Sequence, residues 1–305
     1  MFFSIEEENS STYKNGYLKL AENNQSTQQV GLPELPMYST LYLVESNKDY
    51  EFEIIVHDSY LIEDVTIFPY QGEKNDDNEL IIDDSFYNGN QAYPSSNISV
   101  SERIYARNME LVSVSMTPYS YNPSTRDLEV FTNIEIIVNE FESESDRPEN
   151  TIKRSRLFEQ LYGDMIINFE TSSRQEDYQH PAILYICGGN SCDNSYAQQL
   201  FDWRHQQGYI VYTAPESAVG GSSASSNEIK NYIEDAVENW DNPPEMVGLI
   251  GDTDGSYGLP CNYHDWGGGW YGYNGATDFD YTQLNGNDLL SDVLIGRISA
   301  SNSSD

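Results

Sequence analysis

The sequence predicts a multidomain β plus α/β chain, with an antiparallel β-sandwich followed by a parallel α/β sheet. Between about residues 32 and 138, short apolar runs follow one another with turn residues and no helical pattern between them. Strand after strand in this way favours an antiparallel sandwich. From residue 180 onward, continuous apolar runs alternate with amphipathic helical stretches. That alternation is typical of a parallel sheet covered by helices.

Short apolar runs mark the strands of the predicted sandwich. The run YEFEIIVHD at 50–58 alternates with period two through Phe52, Ile54 and Val56, as a half-buried strand does. NPSTRD at 122–127 separates two further runs and is typical of a turn. The remaining strands are predicted from the runs at 40–45, 64–70, 108–121 and 128–141.

A connector joins the two predicted domains. It contains the charged stretch ESESDRPEN, the segment KRSRLFEQLYGDMII, which predicts a helix ending near Gly163, and the polar segment SSRQEDYQ. The last of these is expected to be exposed and open to cleavage. We therefore place the sandwich at 1–140, the connector at 141–179 and the α/β part at 180–305.

The α/β part contains a repeated strand–helix pattern. Helices are predicted at 195–208, which ends at Gly208, and at 225–240, where Ile229, Ile233 and Val237 recur every four residues. The predicted strands are AILYIC (182–187), YIVYTA (209–214), MVGLIG (246–251) and DVLIGR (292–297). In such sheets, sites form outside the carboxyl ends of the strands. The loops beginning at Gly188, Asp252 and Gly296 are therefore expected at the site edge.

Composition restricts the partners of the chain. The 305 residues include 15 basic and 50 acidic ones, a formal charge of −35, which argues against nucleic acid and anionic membranes. High solubility in a saline or calcium-containing exterior is the simplest explanation. No run approaches the roughly 18 apolar residues of a membrane span. The N-terminus, MFFSIEEENSS, shows no signal peptide, since it lacks a basic segment and a long apolar core.

Nucleophilic and phosphate-binding motifs are sparse. Three cysteines are too few for a disulfide scaffold, and Cys187, at the end of an apolar run, is interpreted as a small buried hydrophobe. Cys261 and His264 share a Trp- and Gly-rich loop, but their spacing is not that of a catalytic dyad. Gly188-Gly189-Asn190 lacks the pattern of a phosphate loop, which disfavours a nucleotide-binding enzyme.

Acidic residues give the stronger candidates. Asp252 and Asp254 follow a strand directly in GDTDG, where they could orient a ligand, hold a metal or cap the loop. Asp288 and Asp292 bracket a short loop in NGNDLLSD. Carboxylates with nearby carbonyls are the ligands that calcium takes. Spacing alone leaves a calcium site and a solvated acidic loop equally open.

Several stretches together resemble the gingipain-type cysteine peptidases, which have a caspase-like fold behind a propeptide. FDWRHQQGYIVYTA, NEIKNYIEDAVENW, PPEMVGLIGDTDG and NGNDLLSDVLIGRISA are similar, in that order, to the first half of the family's catalytic domain. GLPELPMYSTLYLV and MTPYSYNPSTRDLEVFTNIEIIV resemble its β-sandwich propeptide. The resemblance covers roughly residues 30–305.

The resemblance implies that the gene product is a secreted cysteine endopeptidase zymogen, found outside a bacterial cell or on its surface. Its partners would be a protein or peptide substrate and, for the propeptide, its own catalytic domain. The family's catalytic histidine, in a His-Gly motif, and its catalytic cysteine are expected beyond residue 305. The chain is then an inactive fragment.

Site residues also follow from the resemblance. It implies a structural calcium ion, Ca2+, bound by the side chains of Asp288 and Asp292 with carbonyls near Leu284 and Leu290. Asp252 would organise the active-site edge or hold a metal. The candidate processing sites are Arg154, Arg156 and Arg174, of which Arg174 lies nearest the start of the catalytic part.

A binding module remains an alternative of a different class. The 24 tyrosines and the loop WGGGWYGYNG are suited to glycan or protein recognition, because aromatic rings serve both. A gene that continues past Asp305 into a His-Gly motif and a later strand cysteine favours the peptidase. A gene that stops there favours binding.

Overall fold

A computed structural model of the chain describes residues 2–4, 12–14, 16–20, 25–72, 80–145, 147, 150–265, 274–286 and 288–305. The chain forms two compact units: Met1–Glu102 with Val112–Arg147, and Arg103–Leu111 with Pro148–Asp305. A nine-residue excursion of the N-terminal half thus belongs to the second unit. Most of the aromatic loop WGGGWYGYNG lies outside the described residues. No helix among the described ranges is long and apolar enough to cross a membrane.

The first unit consists mainly of two antiparallel sheets. In one, β11 pairs with β1, β6 and β10; the other has the order β4-β5-β9-β7, with β8 also on β9. A separate small hairpin joins β2 and β3. The elements of this half of the chain are β1 (Phe2–Ser4), β2 (Thr12–Lys14), β3 (Tyr17–Lys19), β4 (Gln25–Ser26), β5 (Pro36–Leu43), β6 (Lys48–Ile62), α1 (Asp84–Tyr87), β7 (Ile98–Val100), β8 (Ile104–Ala106), β9 (Met109–Met116), β10 (Tyr119–Asn122) and β11 (Asp127–Glu142). Of these, β8 and the first residues of β9 lie in the excursion Arg103–Leu111, which belongs to the second unit.

The two sheets pack on each other through apolar side chains. Phe131, Ile134 and Ile136 of β11 form one cluster with Met116 of β9 and with partly buried Tyr38 of β5. This face-to-face packing is the layer arrangement of a sandwich. The predicted alternation along β6 holds for Phe52 and Ile54, which are partly buried in that cluster. It does not hold for Val56, which is exposed.

The turn at 122–127 is confirmed, since Asn122 pairs with Asp127 where β10 meets β11. The strand predicted at 64–70 is wrong as a regular strand. That segment makes isolated bridges from Ile67 to Leu18 and from Pro69 to Pro33. Proline cannot donate to a ladder, so a run containing Pro69 forms only a broken one.

The second unit is built on a parallel sheet of order β13-β12-β14-β17, with an antiparallel hairpin of β15 and β16. The helices and strands predicted here are confirmed within a few residues at their ends. The elements are α2 (Arg156–Tyr162), β12 (Ala182–Cys187), α3 (Ser195–Gln206), β13 (Ile210–Pro215), α4 (Ser226–Asn239), β14 (Met246–Ile250), β15 (Asn262–Asp265), β16 (Asn274–Thr277) and β17 (Leu294–Ile298).

Both faces of this sheet are covered, which explains why its central strand is apolar throughout. On β12, Ile183 and Tyr185 pack in a cluster with Phe201 of α3. Leu184 and Ile186 pack in another with Ile229 of α4. Because successive side chains point to opposite faces, six consecutive buried residues need a helix on each side.

Candidate functional site

The carboxyl ends of three parallel strands meet at one edge of the second unit. Cys187 pairs with Ile250, and Ile250 with Ile298, so the loops that follow these residues lie side by side. The prediction of a shared edge is therefore confirmed for the loops after β12 and β14. Gly296 is not the start of the third loop, because it lies inside β17 opposite Gly248.

The loop after β14 crosses the ends of the strands in very close contact. A Cβ on Gly188 would lie 2.1 Å from the carbonyl oxygen of Tyr257, and one on Gly251 would lie 2.0 Å from the same oxygen. Both distances are shorter than any side chain tolerates. Glycine at these positions is required for the loop at 251–260 to lie across the edge.

Arg297 ties this edge together. Its Nε and Nη2 donate to both carboxylate oxygens of Asp278 at 2.8 and 2.7 Å. Its Nη1 donates to the carbonyls of Gly251 at 3.1 Å and Leu259 at 2.9 Å, and its Nη2 donates to that of Pro260 at 2.9 Å. Burial opposes the charge of Arg297, but its bonds to Asp278 raise the pKa above the usual value of arginine. The bidentate pair therefore stays charged and fixes two loops against β17.

Cys187 is buried, as the sequence predicted, but it is not a free cysteine. Cys187 is fully buried, and it forms a disulfide with Cys192, five residues further along the chain. Beside it, the Ser191 hydroxyl donates to the carbonyl of Ile250 at 2.8 Å. The disulfide therefore closes the loop after β12. An odd number of cysteines does not indicate which of them pair. The short Cys-x4-Cys spacing is the one feature of the sequence that suggests this disulfide.

Cys261 and His264 do not form a dyad. His264 Nε2 lies 2.8 Å from Oδ1 of Asp280, whereas the Cys261 side chain hydrogen-bonds to that of Tyr263 and raises its pKa. Cys261 lies just before β15, and within that strand Tyr263 and His264 point to opposite sides, because β-strand side chains alternate.

Asp252 lies at the carboxyl edge, where the sequence placed it. Its Oδ1 accepts a hydrogen bond from the backbone N–H of Thr253 at 2.8 Å, and its carbonyl accepts one from Leu259 at 2.7 Å. These bonds stabilise the loop, which is the ordinary role of aspartate in a turn. A metal at Asp252 stays a prediction.

Asp288 and Asp292 lie at the opposite, amino-terminal edge, just before β17. Asp288 accepts from the backbone N–H groups of Tyr105 and Leu290, each at 2.8 Å. Asp292 is 1% exposed and accepts three backbone N–H bonds at 2.8 to 2.9 Å, from Arg107, Leu284 and Asn285.

These bonds bear on the predicted calcium site. All four carboxylate oxygens of Asp288 and Asp292 face N–H donors, whereas calcium requires oxygens that face the ion. Over the part of the chain that the structure describes, no three His, Cys, Asp or Glu side chains group as metal ligands. In this arrangement the two aspartates do not fit a shared site. Calcium binding with rearrangement of the loop stays a prediction.

Among the three candidate processing arginines, Arg154 is half-buried, whereas Arg156 and Arg174 are exposed. Arg154 and Arg156 both lie over the ring of Tyr178, with centroid distances of 5.3 and 4.0 Å. Arg154 also pairs with buried Glu159. Arg174 is exposed and lies in an exposed stretch at 173–176. Its described hydrogen bond is made by its backbone N–H to Ser172 Oγ.

Comparison with known families gives these features a common context. Residues 11–176 match the family model described as Propeptide_C25, and residues 176–305 match Peptidase family C25. The chain thus belongs to the class of peptidase precursors, in which a pro-segment precedes the peptidase part. More specifically, it is a member of peptidase family C25, because the propeptide match alone covers more than half of it.

Individual relatives agree with this assignment. Gingipain R2 and gingipain R1 of Porphyromonas gingivalis are each 23% identical to this chain over 90% of its length. The chain spans only 36% and 27% of those two proteins.

Among solved structures, a complex of the pro- and mature domains of Porphyromonas gingivalis RgpB matches 48% of this chain and 77% of the other, with 23% identity and a TM-score of 0.41. A structure on the zymogenic latency of gingipain K from the same organism matches 44% and 81%, with 17% identity and a TM-score of 0.36. The family matches favour the peptidase interpretation over the binding module.

Proposed function

We propose that the full-length gene product is a secreted cysteine endopeptidase made as an inactive precursor. This chain supplies the pro-segment, a β-sandwich, and the first part of a caspase-like peptidase domain. The observation that carries the proposal is the meeting of the propeptide and peptidase matches at residue 176. The Cys187–Cys192 disulfide supports a location outside the cell, because such bonds persist in oxidising surroundings.

The reaction assigned to the whole enzyme is peptide hydrolysis through a thioester. A cysteine thiolate attacks the peptide carbonyl carbon, histidine gives its proton to the departing amine, and water then releases the acid and restores the thiol. Among the described residues, Cys261 precedes β15 and His264 pairs with Asp280, and we do not assign these steps to them. The role of this chain is therefore structural, because its disulfide and Arg297 fix the loops at the carboxyl edge.

Hydrolysis of a peptide library by the full-length product tests the proposal. The expected result is cleavage that iodoacetamide abolishes and that increases once the connector at 141–179 has been cut and the pro-segment has been removed. The increase is expected because we also propose that the sandwich blocks the cleft of the peptidase. Cleavage insensitive to thiol alkylation, or an absence of cleavage after the pro-segment has been removed, contradicts the proposed function.

Within the connector, processing is assigned to Arg174. It is exposed and lies two residues before the start of the peptidase match, whereas Arg154 is half-buried and Arg156, although exposed, is the first residue of α2. Brief trypsin treatment of this chain should expose Gln175 as the first new N-terminus of the connector, because proteases need an accessible segment and Arg174 is exposed with an extended backbone.

The matched control is Arg174→Gln, which should slow cleavage of the connector while Arg126→Gln leaves it unchanged. Mass spectrometry of the early fragments identifies the bond. A first connector cut after Arg154 or Arg156 would show that the accessibility argument is wrong.

A further inference from the structure

Arg107 is an arginine almost completely enclosed by protein. It lies at the turn of the hairpin between β8 and β9, where Ala106 pairs with Met109. The residue is only 1% exposed. Its backbone adopts a left-handed conformation, with φ of 57°. The residue lies in the excursion Arg103–Leu111, which belongs to the second unit.

The guanidinium of Arg107 is bound by oxygens of the second unit. Its Nη1 donates to the carbonyls of Pro244 at 3.0 Å and Asp292 at 3.1 Å. Its Nη2 donates to Oε1 of Gln179 at 2.8 Å and to the carbonyl of Pro243 at 3.2 Å. These four acceptors surround both terminal nitrogens, which matches the planar fork of arginine and not the single ammonium of lysine.

Further contacts hold the hairpin in place around this side chain. The backbone N–H of Arg107 donates to Asp292 Oδ1 at 2.8 Å, and its carbonyl accepts from Nδ2 of Asn150 at 2.8 Å. The backbone N–H of Tyr105 donates to Asp288 at 2.8 Å. The ring of Phe158 lies 5.3 Å from the guanidinium, a distance at which the ring face attracts the cation.

The acceptors share one place in the fold. Gln179 precedes β12, Pro243 and Pro244 precede β14, and Asp292 precedes β17. Every one of these positions is at the amino-terminal edge of the parallel sheet, because parallel strands begin at the same side. The arginine site is therefore at the end of the sheet opposite the loops that follow Cys187 and Ile250.

We propose that the amino-terminal edge of this sheet is a guanidinium-binding site whose ligand is Arg107 of the chain's own pro-segment. The site retains the pro-segment on the peptidase part after the covalent connection between them is cut. The proposal rests on the proposed function, because the family match makes residues 11–176 the propeptide. It follows from chain order, since residues 103–111 precede the connector yet belong to the second unit.

Cutting the chain directly after Arg147 tests the proposal. All of the first unit then lies on the N-terminal piece, and the part of that piece that belongs to the second unit is Arg103–Leu111. A site-specific protease sequence inserted after Arg147 in the 305-residue chain allows this cut. Gel filtration then follows whether the two pieces remain together and how fast they separate.

The cut wild-type pieces are expected to co-elute. Arg107→Ala should speed their separation by about tenfold to a hundredfold, the loss that follows from removing charged hydrogen bonds of about 1.5–3 kcal/mol. The pieces of Arg107→Lys should separate almost as fast as those of Arg107→Ala, because an ammonium cannot form hydrogen bonds to all four acceptors. Gln179→Ala, which leaves the hairpin sequence intact, should give a smaller increase.

Arg126→Ala is the matched control. Arg126 also has a left-handed backbone, with φ of 60°, but its exposed side chain pairs with Asp64 in the first unit. Tryptophan fluorescence of each uncut variant establishes that the variant is folded before cutting. If Arg107→Ala does not fold, Gln179→Ala provides the test.

Wild-type pieces that separate at once, or Arg107 and Gln179 variants that separate no faster than Arg126→Ala, overturn the proposal. Neither outcome concerns peptide hydrolysis by the full-length product, so failure of this site and failure of the proposed function remain distinguishable.

Discussion

Replacing Arg297 by methionine should destabilise the second unit. The substitution keeps a long apolar stem but removes the guanidinium that joins Asp278 to the carbonyls of Gly251, Leu259 and Pro260. The Arg297 and Asp278 side chains are only 10% and 18% exposed, so the carboxylate is left largely buried without its partner. Breaking such a pair costs about 3–5 kcal/mol, and we expect about 3 because some water reaches Asp278.

Urea unfolding followed by tryptophan fluorescence measures this loss. All four tryptophans of the chain lie at residue 203 or beyond, in the second unit, so their emission reports that unit. A loss of 3 kcal/mol corresponds to a fall in Tm of about 6–12 °C for a unit of this size. Arg297→Lys should fall between the wild type and Arg297→Met, because lysine keeps the charge and loses the fork.

Arg126→Met is the control for the loss of an arginine charge. Its exposed pair with Asp64 should contribute less than about 1 kcal/mol. If Arg297→Met unfolds within about 0.5 kcal/mol of the wild type, a difference typical of surface substitutions, then Arg297 does not hold the carboxyl edge together and the reasoning is refuted.

Three further substitutions test other contacts of the second unit. Burial raises the pKa of Glu245, so its contribution to stability is fully present below its unfolded pKa of about 4 and is lost as pH rises through its folded pKa. The unfolding free energy of Glu245→Gln, measured in urea, should therefore rise relative to that of the wild type as pH increases from about 4 to 7. A difference in unfolding free energy that stays constant across this range would contradict the prediction. Cys192→Ser opens the short loop closed by Cys187 and should lower the unfolding free energy by about 2 kcal/mol; a variant as stable as the oxidised wild type would show that the disulfide contributes nothing. Ser225→Ala removes the capping box that Ser225 forms with Glu228 and should cost about 1 kcal/mol, which an unchanged thermal unfolding curve would contradict.

The regular elements could be predicted because each has a local cause. Alternation marks a strand buried on one face, a continuous run marks one buried on both, and the four-residue spacing of Ile229 and Ile233 marks the face of α4. The carboxyl edge followed from chain order, since all four main strands of the second unit are parallel. Such features depend on neighbours in sequence.

Long-range polar contacts could not be predicted in this way. Arg107 and Asp292 are separated by 185 residues, and no pattern in either segment indicates that a hairpin of the N-terminal half belongs to the second unit. For the same reason, spacing and family resemblance predicted calcium ligands at Asp288 and Asp292 but gave no sign of the backbone N–H bonds that these residues accept. A carboxylate looks the same in sequence whether its partner is an ion or an amide.

The central claim is that this chain is the pro-segment and part of the peptidase domain of a family C25 member, and we propose that it has no catalytic activity of its own. Its most direct test is hydrolysis of one peptide library, measured as kcat/KM, by the 305-residue chain and by the full-length product after cleavage at Arg174 and removal of the pro-segment. We predict no hydrolysis by the chain above the buffer rate, and hydrolysis by the cleaved full-length product that iodoacetamide abolishes. Hydrolysis by the 305-residue chain alone, or none by the cleaved full-length product, would contradict the account.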